Sequence, residues 1–376
     1  MLKSPTKHGA PLQEQSRNMP DTCTDNKLAI SPACDELPYD SILLVSFGGP
    51  EGPDDVMPFL ENVLRGKNVP RERMLEVAEH YQHFNGVSPI NSQCRSLIEA
   101  LRKELAKESV ELPIYWGNRN WDPMLEDTLR QMAADGKKRS LAFFTSMFSC
   151  YSGCRQYREN IAAARSKVGD NAPVVDKIRM AYNHPGFIDP QAELLKATLA
   201  NIPAEKRDST PVLFCAHSIP MSMADNSRYE TQLREASRLV AEVAEHSNWE
   251  LVFQSRSGPP QQPWLEPDVC DRIESLYLEN KIHSVVLQPI GFVSDHMEVM
   301  YDLDSEAADL CKEKGISFYR VPTVGIHQTF ISMIRELIVE RMTPGAERPA
   351  VGKLGPNHDV CPADCCLYPQ PVRRPS

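Results

Sequence analysis

Apolar and polar positions along this chain fall into two alternating patterns. Short continuous apolar runs predict buried strands, and longer segments with apolar residues at helical spacing predict helices between them. SILLVSF (41–47) is such a run and ends at Gly48-Gly49-Pro50. Asp54 and Asp55 open a helical pattern through about residue 64. ERMLEVAEHYQHF (72–84) and CRSLIEALRKELA (94–106) read as helices, LPIYWGN (112–118) as a strand, and MLEDTLRQMAADG (124–136) as a helix closed by Gly136. SLAFFTSMF (140–148) is a strand. A second series begins with TPVLFCAHS (210–218), a strand, and YETQLREASRLVAEVAEH (229–246), a helix. WELVFQS (249–255), HSVVLQPIGF (283–292) and ISFYRVP (316–322) read as further strands. DVCDRIESLYLEN (268–280), MEVMYDLDSEAADLCKEKG (297–315) and HQTFISMIRELIVERM (327–342) read as helices.

Strands joined by crossover helices imply parallel sheets covered on both faces. The expected architecture is therefore α/β: two similar Rossmann-like domains, at 39–200 and 201–342, with a functional cleft between them. No sequence repeat proves duplication. Residues 1–38 are rich in Pro, Ser, Thr, Asn and Lys without periodicity, and read as a disordered leader. Residues 343–376 form a Pro-rich tail that carries cysteines.

Composition narrows the function. The 376 residues, 41% of them hydrophobic, are enough for sizeable cores. A formal net charge of -10 disfavours a nucleic-acid partner. No apolar run approaches the roughly 18 residues that span a bilayer, and the N-terminus lacks a secretory apolar core. These features predict a soluble cytoplasmic protein, compatible with peripheral membrane contact, with a monomer as the default state. Eleven cysteines in a reducing compartment are not a disulfide framework. Cys23, Cys34, Cys94, Cys215, Cys270 and Cys311 are scattered, whereas Cys150 and Cys154 (FSCYSGC) and Cys361, Cys365 and Cys366 (CPADCC) are clustered.

Functional residues of open α/β sheets lie just past the carboxyl ends of strands. Gly48-Gly49-Pro50, Tyr151, His217, Arg256 and Asp295-His296 all occupy such places. The glycine turn has neither GxxxxGK[ST] nor GxGxxG, so a tight turn is the better account than a phosphate loop. A histidine ending a strand is more often a satisfied structural residue than a ligand. The segment SDHMEVMYDLDSEAADL (294–310) adds chemistry: Glu298, Asp302 and Glu306 recur every fourth residue and share one face of an α-helix. Such a stripe is either an ordinary solvated face or a rail for protons or a hard divalent cation. There is no HExxH motif, and only the fold can bring His217 to Glu298. Together they make a weak, open metal site or an acid–base pair. Tyr115, Trp116, Arg119, Trp121, Tyr151, Arg256 and Trp264 add flat walls and cations, which suit a flat ligand bearing carboxylates.

FCAHSIPMS, QSRSGPPQQPWLEPD and PIGFVSDHMEVMYDLD, with SFGGPEGPDDV and FNGVSPIN, together resemble the ferrochelatases, from about residue 39 to 342. GNRNWDP, SGCRQYREN and SRSGPPQ look most like actinobacterial-type enzymes, which are expected to metallate coproporphyrin III rather than protoporphyrin IX. The resemblance implies a chelatase-like fold and insertion of ferrous iron into a porphyrin with release of two pyrrole protons. It makes His217 a proton acceptor or iron ligand, Glu298 the facing carboxylate, and Asp302 and Glu306 the continuation of that path. Ser88 and Tyr151 match porphyrin-contacting positions, and Arg65 pairs with a propionate. Phe47 replaces a tyrosine that faces the metal in some members, so that role is not carried over. The resemblance also implies a [2Fe-2S] cluster on Cys361, Cys365, Cys366 and Cys154, with Cys150 the alternative fourth ligand and zinc the alternative metal. Competing readings are a protoporphyrin ferrochelatase, a cobalt or nickel chelatase, and a non-catalytic porphyrin or haem carrier.

Overall fold

The computed structural model describes residues 38–66, 69–259 and 261–369. The expected leader lies outside them except for its last residue. Two four-stranded parallel sheets organise the chain. The first contains β1 (Ser41–Ser46), β2 (Ile114–Asn118), β3 (Arg139–Phe144) and β4 (Val174–Lys177) in the order β2-β1-β3-β4. The second contains β5 (Val212–His217), β6 (Trp249–Gln254), β7 (Ser284–Gln288) and β8 (Ser317–Arg320) in the order β6-β5-β7-β8. The two orders are the same when each sheet is numbered from its own first strand. Every residue of β1, β3 and β7 is buried, as strands covered on both faces must be.

The connecting helices of the first half are α1 (Val56–Val63), α2 (Arg71–His83), α3 (Ile90–Lys107), α4 (Leu125–Ala134), α5 (Gln156–Val168) and α6 (Pro185–Leu199). The second half carries α7 (Ala204–Arg207), α8 (Met221–Ala224), α9 (Tyr229–Ala244), α10 (Val269–Asn280), α11 (Met297–Val299), α12 (Ala308–Lys314) and α13 (Gln328–Met342). Gly136 takes φ +74° just past α4, the left-handed closure its position predicts. Asp268 caps α10 by accepting from the Cys270 and Asp271 amides.

Three departures from the sequence pattern have physical causes. The expected helix 297–315 is α-helical only at its ends; residues Met300–Ala307 form a π-helix, whose wider turn no side-chain periodicity announces. The expected strand 140–148 ends at Phe144, because Met147 and Phe148 are apolar core residues in a loop. The stretch between the two series holds α5, β4 and α6. β4 is four residues long and ends in charges, and α6 contains Pro190, so neither resembles its class. The Asp176 charge in β4 is compensated by Arg139 at 2.9 Å.

One apolar core cluster runs through both sheets, from Ile42 and Phe143 to Phe214 and Val286. α13 packs against α3 and α6, where Phe330 meets Phe143 and Phe187 with ring centroids 6.4 and 6.3 Å apart. The tail then returns to the first sheet. The Arg179 guanidinium binds Glu340 and donates to the Pro349 carbonyl. Asn183 donates to Val351 and Gly355, and Asn357 to the Ser149 hydroxyl. Among the described residues no helix is long and apolar enough to cross a membrane.

Phe330 is fully buried at this junction. Phe330→Ala is expected to lower unfolding stability by about 3–5 kcal/mol in urea denaturation. A loss below about 1 kcal/mol would mean that α13 does not couple the two halves.

Candidate active site

In each sheet the chain reverses direction beside the first strand, so the crevice opens at the carboxyl ends of β1 and β5. The GGP turn follows β1. Gly48 takes φ +83°, and a β-carbon on Gly49 would lie 2.7 Å from the Ser88 side chain. Only glycine lets the turn seat against buried Ser88, whose amide donates to the Pro50 carbonyl. Phe47 faces this region, with the Arg119 guanidinium 5.5 Å from its ring centroid.

His217 is the last residue of β5. Its backbone carbonyl accepts from the buried Tyr229 hydroxyl at 3.1 Å, which pins the strand end. Its Nδ1 lies against the Ser218 carbonyl, an acceptor only, so Nδ1 carries the hydrogen. In the neutral imidazole Nε2 keeps its lone pair. It faces Glu298 Oε2 at 3.7 Å, with the two side chains 33% and 51% exposed. A lone pair and a carboxylate repel unless an electrophile lies between them. Ordinary metal–ligand distances of about 2.1 Å let one ion reach both atoms.

Glu298 is held by packing contributed from the first half of the chain. Met297 joins a cluster with Val56, Phe59, Leu60 and Tyr81 of α1 and α2. Tyr301 stacks on His80, ring centroids 3.7 Å apart. The Tyr81 hydroxyl is raised far above its ordinary range by burial and by the Glu298 charge. These contacts roof the crevice with α1 and α2.

Behind Glu298 the carboxylates continue. Asp302 is pushed up to about 7, chiefly by burial and then by the Glu298 and Glu306 charges, against a lowering hydrogen bond from Ser255. Gln254 Nε2 donates to Asp302 at 3.1 Å and to the Glu298 carbonyl at 3.4 Å. The Ser255 hydroxyl also donates to Asp302, and its residue takes φ +60°, a left-handed conformation that a non-glycine residue seldom adopts. Glu306 is raised by burial and by Asp268, while burial lowers His296. Gln254 and Ser255 were not among the residues singled out from sequence, whereas His296 was. The only signal for the first two was their place immediately past an apolar run.

The remaining expected residues are distributed more widely. Tyr151 starts a π-turn (Tyr151–Arg155); its hydroxyl donates to Glu159, its ring meets Tyr368 edge-on, and burial raises it to about 12. Ser152 of that turn contacts Met223 of α8, so the turn reaches the His217 side. Arg65 is exposed and bonded to Asn62. Arg256 lies near Glu266 at 3.7 Å, and Trp264 packs so closely over Gly258 that a β-carbon there would lie 2.4 Å from its indole nitrogen.

A second group of reactive side chains gathers where the tail meets the π-turn. The free thiols of Cys154 and Cys361 are hydrogen-bonded, as are those of Cys361 and Cys365, and Cys365 approaches Cys366 at 3.6 Å. The Cys361 thiol is held well down, first by Cys154, then by Cys365 and His358, with Lys177 assisting. Cys150 does something else: its sulfur accepts from the Gly153 amide and caps the π-turn. Arg155, Arg158 and Lys177, all buried, surround the thiols, and Arg158 Nε has no hydrogen-bond partner among the described residues. Arg155 donates to the Ala363 and Cys365 carbonyls, which fixes the tail loop.

Comparison with known proteins gives the family. The ferrochelatase family profile matches residues 39–342. A relative from Rhodopirellula baltica named ferrochelatase is 66% identical over 88% of this chain and 94% of its own length. Two relatives named coproporphyrin III ferrochelatase, from Streptomyces coelicolor and Streptomyces griseus, are 49% and 48% identical, each over 91% of this chain and 96% of its own length. Among solved structures, SirB from Bacillus subtilis with Fe3+ superposes at TM-score 0.50 with 12% identity, over 81% of this chain and 97% of its own, a likeness of fold.

A carboxyl raised by burial binds its proton more tightly folded than unfolded. Its stabilising contribution is complete below the unfolded value of 3.8 and is lost as pH rises through about 7. Asp302→Asn removes that loss. Its stability relative to the unaltered protein is expected to rise by on the order of 2 kcal/mol between pH 5 and pH 8, measured by urea denaturation. A constant difference would show that Asp302 ionises normally.

Proposed function

This chain belongs to the ferrochelatase family, and from that premise we propose that it inserts ferrous iron into coproporphyrin III in haem synthesis. The Streptomyces relatives that carry this substrate in their names support the choice of porphyrin. One observation carries the chemistry: the His217 Nε2 facing the Glu298 carboxylate across 3.7 Å.

His217 and Glu298 hold Fe2+ loosely between Nε2 and Oε2, leaving its other positions open to pyrrole nitrogens. As four nitrogens take the ion, two N–H protons leave the macrocycle, one to His217 Nε2 and one to the Glu298 carboxylate. The pocket gives up a dication and gains two protons, so no net charge builds up in a cleft where isolated charge is costly. Asp302, raised to about 7 and linked to the Glu298 backbone through Gln254, takes the proton onward, and Glu306 continues the path. Ser88 beside the glycine turn and Tyr151 on the π-turn contact the porphyrin, and exposed Arg65 pairs with a propionate. Phe47 has no donor atom and only packs.

We propose in addition that Cys154, Cys361, Cys365 and Cys366 hold a [2Fe-2S] cluster. The four thiols, linked in a chain from Cys154 through Cys361 and Cys365 to Cys366, would supply the four thiolates that such a cluster takes. The buried cations around them suit thiolates. Cys154 is preferred to Cys150 as the fourth ligand because it is linked to Cys361, whereas Cys150 caps the π-turn. When bound, such a cluster supplies a one-electron redox centre and a tie between tail and π-turn. A monomer in the cytoplasm, without nucleic acid, accords with a net charge of -10 and with nine free cysteines among the described residues.

Anaerobic assays with Fe2+ are expected to turn over coproporphyrin III faster than protoporphyrin IX. The reverse order would overturn the substrate, and tight porphyrin binding without turnover of either would make this a carrier. His217→Ala is expected to lose at least about 100-fold in kcat while retaining porphyrin binding by fluorescence quenching. Near-normal turnover would remove His217 from the mechanism. Cys154→Ser is expected to yield colourless protein and Cys150→Ser brown protein; the opposite pattern would exchange their roles, and colourless zinc-containing unaltered protein would replace the cluster with zinc.

A further inference from the structure

The thiol group has a fifth member that the four-ligand count leaves over. His358 lies three residues before Cys361, and its Nε2 is 3.9 Å from Cys365 Sγ. One ligand-type atom each from His358, Cys361 and Cys365 lie within 4.8 Å of one another. The chain that carries the imidazole is held on either side of the His358 Cα. Its neighbour Asn357 is buried and donates to Ser149 at 3.1 Å, and the His358 carbonyl accepts from Lys177 at 3.3 Å. His358 is exposed, whereas Cys366 is buried.

Resting on the cluster reading above, we propose that His358 is a positioning residue for the metal group: it donates an N–H to the Cys365 and Cys361 sulfurs and raises the cluster's reduction potential. Four thiols already supply the four ligand positions, so the imidazole is left as a hydrogen-bond donor at a distance suited to sulfur. One-electron reduction forms and breaks no bond; it increases negative charge on the cluster and its sulfurs. A donor aimed at those sulfurs therefore stabilises the reduced form more than the oxidised one. His358 is the exposed donor of the group, whereas Arg155, Arg158 and Lys177 act from the buried side. The cluster's potential is in this way set partly from the surface of the tail.

The test uses full-length protein purified anaerobically, with visible absorption and electron paramagnetic resonance of the reduced form to establish the cluster first. Midpoint potentials of the unaltered protein, His358→Ala and His358→Gln are then measured by mediated titration at pH 8. The expected result is an unchanged resonance spectrum in all three, a lower potential in His358→Ala, and a potential nearer the unaltered one in His358→Gln, which keeps an N–H. Equal potentials in the unaltered protein and His358→Ala would overturn the inference. So would loss of the cluster or altered g-values in His358→Ala, since either would make His358 a ligand. Unaltered protein lacking any cluster would overturn the cofactor reading itself, a failure visible before any variant is compared.

Discussion

The cleft depends on two groups that face each other without touching: the imidazole Nε2 of His217 and the carboxylate of Glu298, 3.7 Å apart. Each is fixed from behind by a different part of the fold. The last residue of β5 and the Tyr229 hydroxyl set His217. The roof formed by α1 and α2, through Met297 and the His80–Tyr301 stack, sets Glu298. A cation entering the gap would meet both donor atoms, and so open a site would release its ion readily once protons could take the ion's place.

Much of this was legible in the sequence. The apolar runs located seven of the eight strands, because strands buried on both faces are continuous apolar segments. His217 and Glu298 were legible as candidates from their places past strand ends, and their motifs made the pair specific. Their approach was not legible, since it depends on two parallel sheets with the same order. The π-helix was hidden as well. Its sequence, MYDLDSEA, reads as an ordinary helix, yet the wider turn means that the every-fourth-residue spacing of Glu298, Asp302 and Glu306 does not place them in a strict α-helical row. What joins them instead is Gln254 and Ser255, loop-edge residues that no periodicity singles out.

The tail illustrates a different limit. Its composition resembles a floppy extension, yet backbone carbonyls from Pro349 to Cys365 are tied to Arg179, Asn183, Lys177 and Arg155. Those partners lie in or near β4 and the π-turn, the stretch where the sequence pattern was weakest. Short, charged and partly non-α elements bury polar groups that only a long-range partner can satisfy. One turn, Tyr151–Arg155, consequently serves both regions: Tyr151 belongs to the candidate porphyrin wall and Cys154 to the thiol group. Anything that moves the tail reaches the cleft through three residues of chain.

The central claim is tested most directly by iron-edge anomalous diffraction from anaerobic crystals soaked in Fe2+ without porphyrin. The account predicts one cleft ion bridging His217 Nε2 and Glu298 Oε2. An ion bound elsewhere in the cleft, with His217 and Glu298 joined by a direct hydrogen bond, would contradict it.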